Sequence, residues 1–222
     1  APECPDMVFT ANAGIAFEKR LILSNFRHPQ RQLEAPHFRA WFEHRGYTVD
    51  APPCEDLFEG EGDALFAGNV LLAGYLKRSD IAAHRWIADR LGVQVLSLEL
   101  VDDRWYHLDT CLFPLTTDTV VYYPGAFDSY GVKVIEHNFK TIRVETDEAL
   151  RFACNAINLG RSIVMPAGCP RIGAALQDLG YEVHAVELSE FLKAGGAAKC
   201  LVLYLRQPLL TAASTAFPNP GP

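Results

Sequence analysis

Hydrophobic and polar positions along this chain fall into one plan that recurs four times. Residues 7–26, MVFTANAGIAFEKRLILSNF, give two alternating runs around a turn. RQLEAPHFRAWFEHRG then carries apolar residues at helical spacing, and YTVDAP returns to alternation. The second copy is DALFAGNVLLAGY, the helix SDIAAHRWIADRLG and the strand VQVLSLEL. Ser79 is expected to cap that helix and Gly92 to stop it. The third runs from YHLDTCLFPLTTDTVVYYP through a helix near SYGVKVIEHNF to TIRVET. After a short extra helix, the fourth is ACNAINLGRSIVMP, CPRIGAALQDLG and YEVHAVEL.

The pattern predicts β-β-α-β units at a period of about 50 residues, a spacing typical of arrays and propellers. Each helix has one apolar face, so the helices should lie outside a ring of short mixed sheets. Equivalent residues near the turn between the first two strands of each unit should then meet on a central axis. An ordinary doubly wound sheet is the competing layout. After the fourth unit, SEFLKAGGAAKCLVLYL predicts a glycine-loosened loop that enters a final strand at Cys200.

Composition narrows the class. Of 222 residues, 49% are hydrophobic, enough for a sizeable core, and no linker divides the chain. A single domain over 1–210 is expected, followed by a disordered tail over 211–222, TAASTAFPNPGP. The net charge of −7, without a basic cluster, argues against nucleic acid or an anionic membrane as partner. No apolar run reaches the ~20 residues of a membrane span, and no basic-then-apolar leader opens the sequence. Six cysteines without a CxxC pair read as reduced thiols in a cytoplasmic protein. Neither metal-ligand spacing nor a phosphate loop is present, so no metal and no cofactor are expected.

Four places interrupt the apolar strands with chemistry: Asn12 in TAN; Glu59, Glu61 and Asp63 in FEGEGD; His107 and Asp109 in YHLDT; and Cys200 in GGAAKC. On a strand, His107 and Asp109 would share a face. A buried His–Asp pair needs partners, and the FEGEGD glycines allow something to approach its backbone closely. Each feature alone has an ordinary reading: a small buried thiol, a satisfied core pair, a solvated acidic turn. Together, a thiol nucleophile, a proton-moving His and a carboxylate to orient it form a known catalytic arrangement.

MVFTANAG, FEGEGDALFAG, YHLDTCLFPL, ACNAINLG and SEFLKAGGAAKCL resemble successive motifs of the guanidine-modifying superfamily. It contains dimethylarginine dimethylaminohydrolases, arginine deiminases, succinylarginine dihydrolases and amidinotransferases. The resemblance runs from residue 7 to about 205 in family order, and HxDT with GGxxxC is its most specific part. It implies a pentein, an α/β propeller of β-β-α-β modules around a pseudo-symmetry axis. Five modules make the family ring and four are legible here, so the first module is expected to be lacking. The chain is then a fragment, a short member, or one completed by a partner or a second copy.

By the same resemblance Cys200 is the nucleophile, His107 the general acid/base, and Asp109 a ligand of the substrate guanidinium. The carboxylate that orients His107 is open between Glu59, the favoured choice, and Glu61, because Gly60 occupies the usual family position. Asp63 is a further structural or substrate-side acid. Asn12 stands where deiminases and dimethylarginine hydrolases have Asp, which removes one negative charge from the site. Arg78 resembles the arginine that holds a substrate carboxylate, against the plain reading of a solvated helix-start residue. Arg27, His28 and Arg31 read as exposed charge ahead of a helix. The implied activity is hydrolysis of an arginine-like guanidine through a covalent Cys-amidino intermediate. Amidino transfer to an amine, or a non-catalytic binding or assembly pentein, are the alternatives.

Overall fold

The computed structural model describes residues 1–205; the tail expected over 211–222 lies outside the described residues. Among these, twelve strands form four separate three-stranded sheets, one per predicted unit. In the first, β1 (Gly14–Phe17) pairs antiparallel with β2 (Arg20–Leu23), which pairs parallel with β3 (Thr48–Asp50). The same order and sense recur in β4 (Ala64–Ala67), β5 (Val70–Tyr75) and β6 (Gln94–Glu99). They recur in β7 (Leu112–Pro114), β8 (Thr119–Tyr122) and β9 (Lys140–Arg143), and in β10 (Ile157–Leu159), β11 (Ser162–Pro166) and β12 (Glu182–Val186). The sheets stay separate, which excludes one doubly wound sheet.

A parallel step from second to third strand needs a long crossover, and a helix supplies it in every unit. One-turn α1 (Pro29–Gln32) leads into α2 (Ala35–His44); α3 (Ile81–Leu91) and α4 (Ser129–Asn138) serve the next two units. One-turn α5 (Thr146–Ala149) is the predicted extra helix, and α6 (Pro170–Asp178) crosses the fourth unit. Gly92 ends α3 in a left-handed conformation, its N–H on Ala88 O at 2.8 Å, as expected. Ser79 is not the cap. Asp80 holds that position, and Ser79 is buried and turned inward, donating to Asp63 Oδ2 at 2.6 Å and accepting the Glu59 N–H at 3.0 Å. The largest apolar cluster joins the second, third and fourth units around fully buried Trp105, Tyr122 and Leu98.

Two expectations change. Convergence occurs at the start of each first strand, not at the hairpin turn. Short 3-10 turns over Thr10–Ala13, Gly60–Gly62 and Leu108–Thr110 precede β1, β4 and β7, and the turns pack on one another. The hairpin turns carry Glu18, Lys19 and Asn69, all exposed to water. His107 therefore caps a turn that contains Asp109, and the two do not share a strand face.

The final strand is also absent among the described residues: Cys200 sits in a 3-10 turn over Lys199–Leu201, and the segment after it joins no ladder. Side chains take its backbone groups instead. Thr10 Oγ1 donates to Leu201 O at 2.7 Å, Lys199 Nζ to Val202 O at 2.9 Å, and Tyr204 N–H goes to Glu61 at 3.0 Å. One-turn α7 (Ser189–Lys193) precedes the cysteine loop.

Candidate active site

The converging turns place the polar residues of four chain segments at one centre. His107 Nε2 lies 2.7 Å from Glu59 Oε2, and both residues are buried. The other Glu59 oxygen accepts the Arg27 N–H at 3.0 Å, and Arg78 reaches Oε2 at 3.3 Å. Burial works against a charged Glu59, but the hydrogen bond and charge of His107, with Arg78 and the Arg27 N–H, overcome it and hold the pKa at about 2. Burial also works against protonated His107; Asp63, Glu59 and Asp109 outweigh it and raise the imidazole above its usual value. Glu61 points elsewhere.

Glu61 and Lys199 form a second buried pair, Nζ to Oε2 at 2.9 Å, beside the nucleophile candidate. It ties the cysteine turn to the FEGEGD turn. Removing one partner strands a buried charge, so Lys199→Met is expected to cost about 3–5 kcal/mol in urea unfolding. Pairing it with Glu61→Gln should recover part of that loss, and an additive double variant would contradict the coupling.

Cys200 is 4% exposed, with its thiol 3.5 Å from Asp109 Oδ2 and 3.2 Å from Asn155 Nδ2. Burial and Asp109 push its pKa up; the Ala197 backbone, Asn155 and Lys199 oppose them. Asp109 is raised as well, chiefly by burial. Its Oδ1 is buried without a hydrogen-bond partner among the described residues.

His107, Cys200, Asn12, Arg31, Arg78 and Tyr106 line one cleft of about 210 Å³. Two glycines make it possible. A Cβ on Gly62 would stand 2.2 Å from Asn12 Nδ2 and 3.1 Å from His107 Nδ1. One on Gly196 would stand 2.2 Å from Phe9 Cε1, so only a bare backbone passes there. Asn12 is engaged on both sides, donating to Glu59 O at 3.1 Å and accepting from Arg31 Nη1 at 2.8 Å. Arg78 stacks over Tyr106 at 4.6 Å and is only partly exposed, so it is not a solvated helix-start residue. Asp63 is braced inward: Leu108 N–H and Ser79 Oγ take its two oxygens, and burial lifts its pKa to about 6.

Arg31 corrects the reading of exposed charge. It is 7% exposed, bound to Glu34 through Nε at 2.9 Å and Nη2 at 3.0 Å. Its three-residue spacing from Glu34 on one helical face was the available signal. Tyr106 and Asn155 were also missed; Tyr106 packs on His107 with tilted rings 4.9 Å apart and donates to Gly195 O, closing the cysteine loop over the cleft. Outside the cleft, Glu3, Cys4 and His37 bring ligand atoms within 4.8 Å of one another, the one such group among the described residues.

The family model of N,N dimethylarginine dimethylhydrolase, eukaryotic, matches residues 1–207. The chain belongs to this family. The N(G),N(G)-dimethylarginine dimethylaminohydrolase of Mycobacterium tuberculosis is 40% identical over 200 residues, 90% of this chain and 66% of its own. The bifunctional arginine dihydrolase/ornithine cyclodeaminase ArgZ of Synechocystis sp. is 48% identical over 211 residues, 93% of this chain. The chain spans 30% of the length of that relative. The N-terminal domain of ArgZ, covalently bound to a reaction intermediate, superposes with a TM-score of 0.91 at 47% identity, covering 95% of this chain and 79% of that one. The family member described here thus has the pentein arrangement of repeated β-β-α-β modules.

Proposed function

We propose that this chain carries the catalytic centre of a cysteine hydrolase that cleaves a guanidino C–N bond of an arginine-like substrate. The observation that carries the reading is the buried Cys200 thiol, 3.5 Å from Asp109 Oδ2 and lining one cleft with the Glu59-bound His107. A guanidinium needs acceptors for its N–H groups, and Asp109 supplies a free one. Arg78, partly exposed in the lining of that cleft, suits a substrate carboxylate.

Binding of the cation offsets the pressure that keeps Cys200 protonated, and the thiol proton leaves to solvent. The thiolate adds to the central guanidine carbon. His107, held protonated by Glu59, gives its proton to the departing nitrogen as the C–N bond breaks, leaving an amidino-thioether on Cys200. Neutral His107 then takes a proton from water, whose oxygen attacks the same carbon. Collapse breaks the C–S bond, the protonated ureido product passes its proton to the released Cys200 thiolate, and the starting state returns. Reduced thiols at all six cysteines suit a cytoplasmic setting.

The test incubates the chain with arginine, dimethylarginine, agmatine and succinylarginine, reading intact mass and released amine, with an added acceptor amine to detect amidino transfer. A ureido product, with an adduct on Cys200, supports the reading. No product and no adduct from a folded chain would sink it.

A further inference from the structure

Asn155 is fully buried, and every polar atom of its amide is committed. Nδ2 donates to Cys200 Sγ at 3.2 Å and to Asp109 O at 3.0 Å, while Oδ1 accepts the Cys200 backbone N–H at 3.2 Å. The reversed amide would set oxygen against the Asp109 carbonyl and N–H against N–H, so these partners fix its orientation. The Asn155 main chain joins in, its carbonyl accepting the Lys199 N–H at 3.3 Å.

We propose that Asn155 sets the specificity of the nucleophile: it steadies the Cys200 sulfur and withdraws the Cys200 N–H from use as an oxyanion donor, so the site favours guanidinium carbons over acyl carbons. The inference rests on the hydrolase reading above and deepens it. Acyl transfer builds negative charge on a tetrahedral oxygen, and backbone N–H donors aimed at that oxygen lower its barrier. Addition of a thiolate to a guanidinium gives a neutral tetrahedral carbon instead. That intermediate carries N–H groups that need acceptors, and the carboxylate of Asp109, 3.5 Å from the Cys200 sulfur with its Oδ1 unpartnered among the described residues, is an acceptor beside that sulfur. Capping the Cys200 N–H with Asn155 Oδ1 therefore removes nothing a guanidine needs and takes away a donor an ester or thioester needs. The Nδ2–Sγ contact serves the other half of the step, because a donor to sulfur favours the thiolate over the thiol.

Three readouts test this on the full chain and on Asn155→Ala and Asn155→Asp. The first is the pH profile of Cys200 alkylation by iodoacetamide, assigned by peptide mass so that exposed Cys54 does not interfere. Asn155→Ala is expected to move the profile to higher pH, and Asn155→Asp further still. The second separates kcat from KM for the best guanidine, with kcat taking most of the loss. The third is hydrolysis of p-nitrophenyl acetate, corrected with Cys200→Ser. Its ratio to guanidine turnover should rise at least about tenfold in Asn155→Ala, which frees the N–H.

An unshifted alkylation profile in a folded variant overturns the proposal. So does Cys200-dependent ester hydrolysis by the unaltered chain at a rate matching its guanidine turnover, an arm that needs no Asn155 variant to fold. Alkylation reads the thiol without substrate. A shifted profile beside absent guanidine turnover would therefore overturn the hydrolase reading while the Asn155–Cys200 coupling stands.

Discussion

Cys200→Ser is expected to leave a folded chain whose guanidine turnover is at least about 10³-fold lower. The exchange swaps sulfur for a smaller oxygen in a buried turn that keeps its Asn155 contacts, so unfolding should change little. Chemistry changes greatly. A cation in the cleft can carry a thiol across to thiolate, but a hydroxyl beside buried Asp109 stays protonated. Cys111 and Cys154 cannot substitute, because they are buried outside the cleft and pushed to high pKa by burial. Steady-state rates together with intact mass after mixing check this. Turnover above about 1% of the original would exclude Cys200 as the nucleophile.

Glu59→Gln is expected to lower kcat by about 10²–10⁴ with much less effect on KM, and to move the alkaline limb of the kcat–pH profile downward. The amide still accepts a hydrogen bond from His107 but no longer holds its charge. Asp63 and Asp109 remain, so the imidazole loses part of its raised affinity for a proton and not all of it. The same pair governs stability. Glu59 is depressed, so its contribution is fully present above the ordinary carboxylate value of 4.5 and fades as pH falls toward 2. His107 is raised, so its contribution is fully present below 6.5 and is lost as pH rises through the folded value. Between 4.5 and 6.5 both are in force, and Glu59→Gln should flatten the dependence of urea stability on pH on both sides of that window. An unmoved alkaline limb would mean that Glu59 does not set His107.

Much of this was legible in the chain because repetition made departures visible. Asn12, Glu59, His107 and Cys200 interrupt apolar runs at equivalent places, and a buried interruption demands partners. What stayed hidden depends on contacts between distant segments. Glu59 and His107 are 48 positions apart and Asn155 and Cys200 are 45 apart, so no local period announces either pair. Asn155 reads as one more polar position in a strand approach. Ser79 stands one residue before the N-cap position, which Asp80 occupies without a side-chain capping bond. The apolar alternation of Leu201–Leu205 promised a strand, yet a strand needs a neighbouring ladder as well as a pattern. The end of the units that faces inward was misread because both ends of each hairpin are short turns. Only the polarity of Glu18, Lys19 and Asn69 distinguishes them.

The separation of the four sheets bears on how the chain acquires its activity. Each sheet and its crossover helix draw on fewer than 40 consecutive residues, from Gly14 to Asp50 in the longest case, so each can form from nearby chain. The cleft cannot: Thr10 must meet Leu201, 191 positions away, before the cysteine turn is pinned against the others. Helix and sheet signals should therefore return first on refolding, and catalytic competence last, with Cys200 open to alkylating reagents throughout the interval between them.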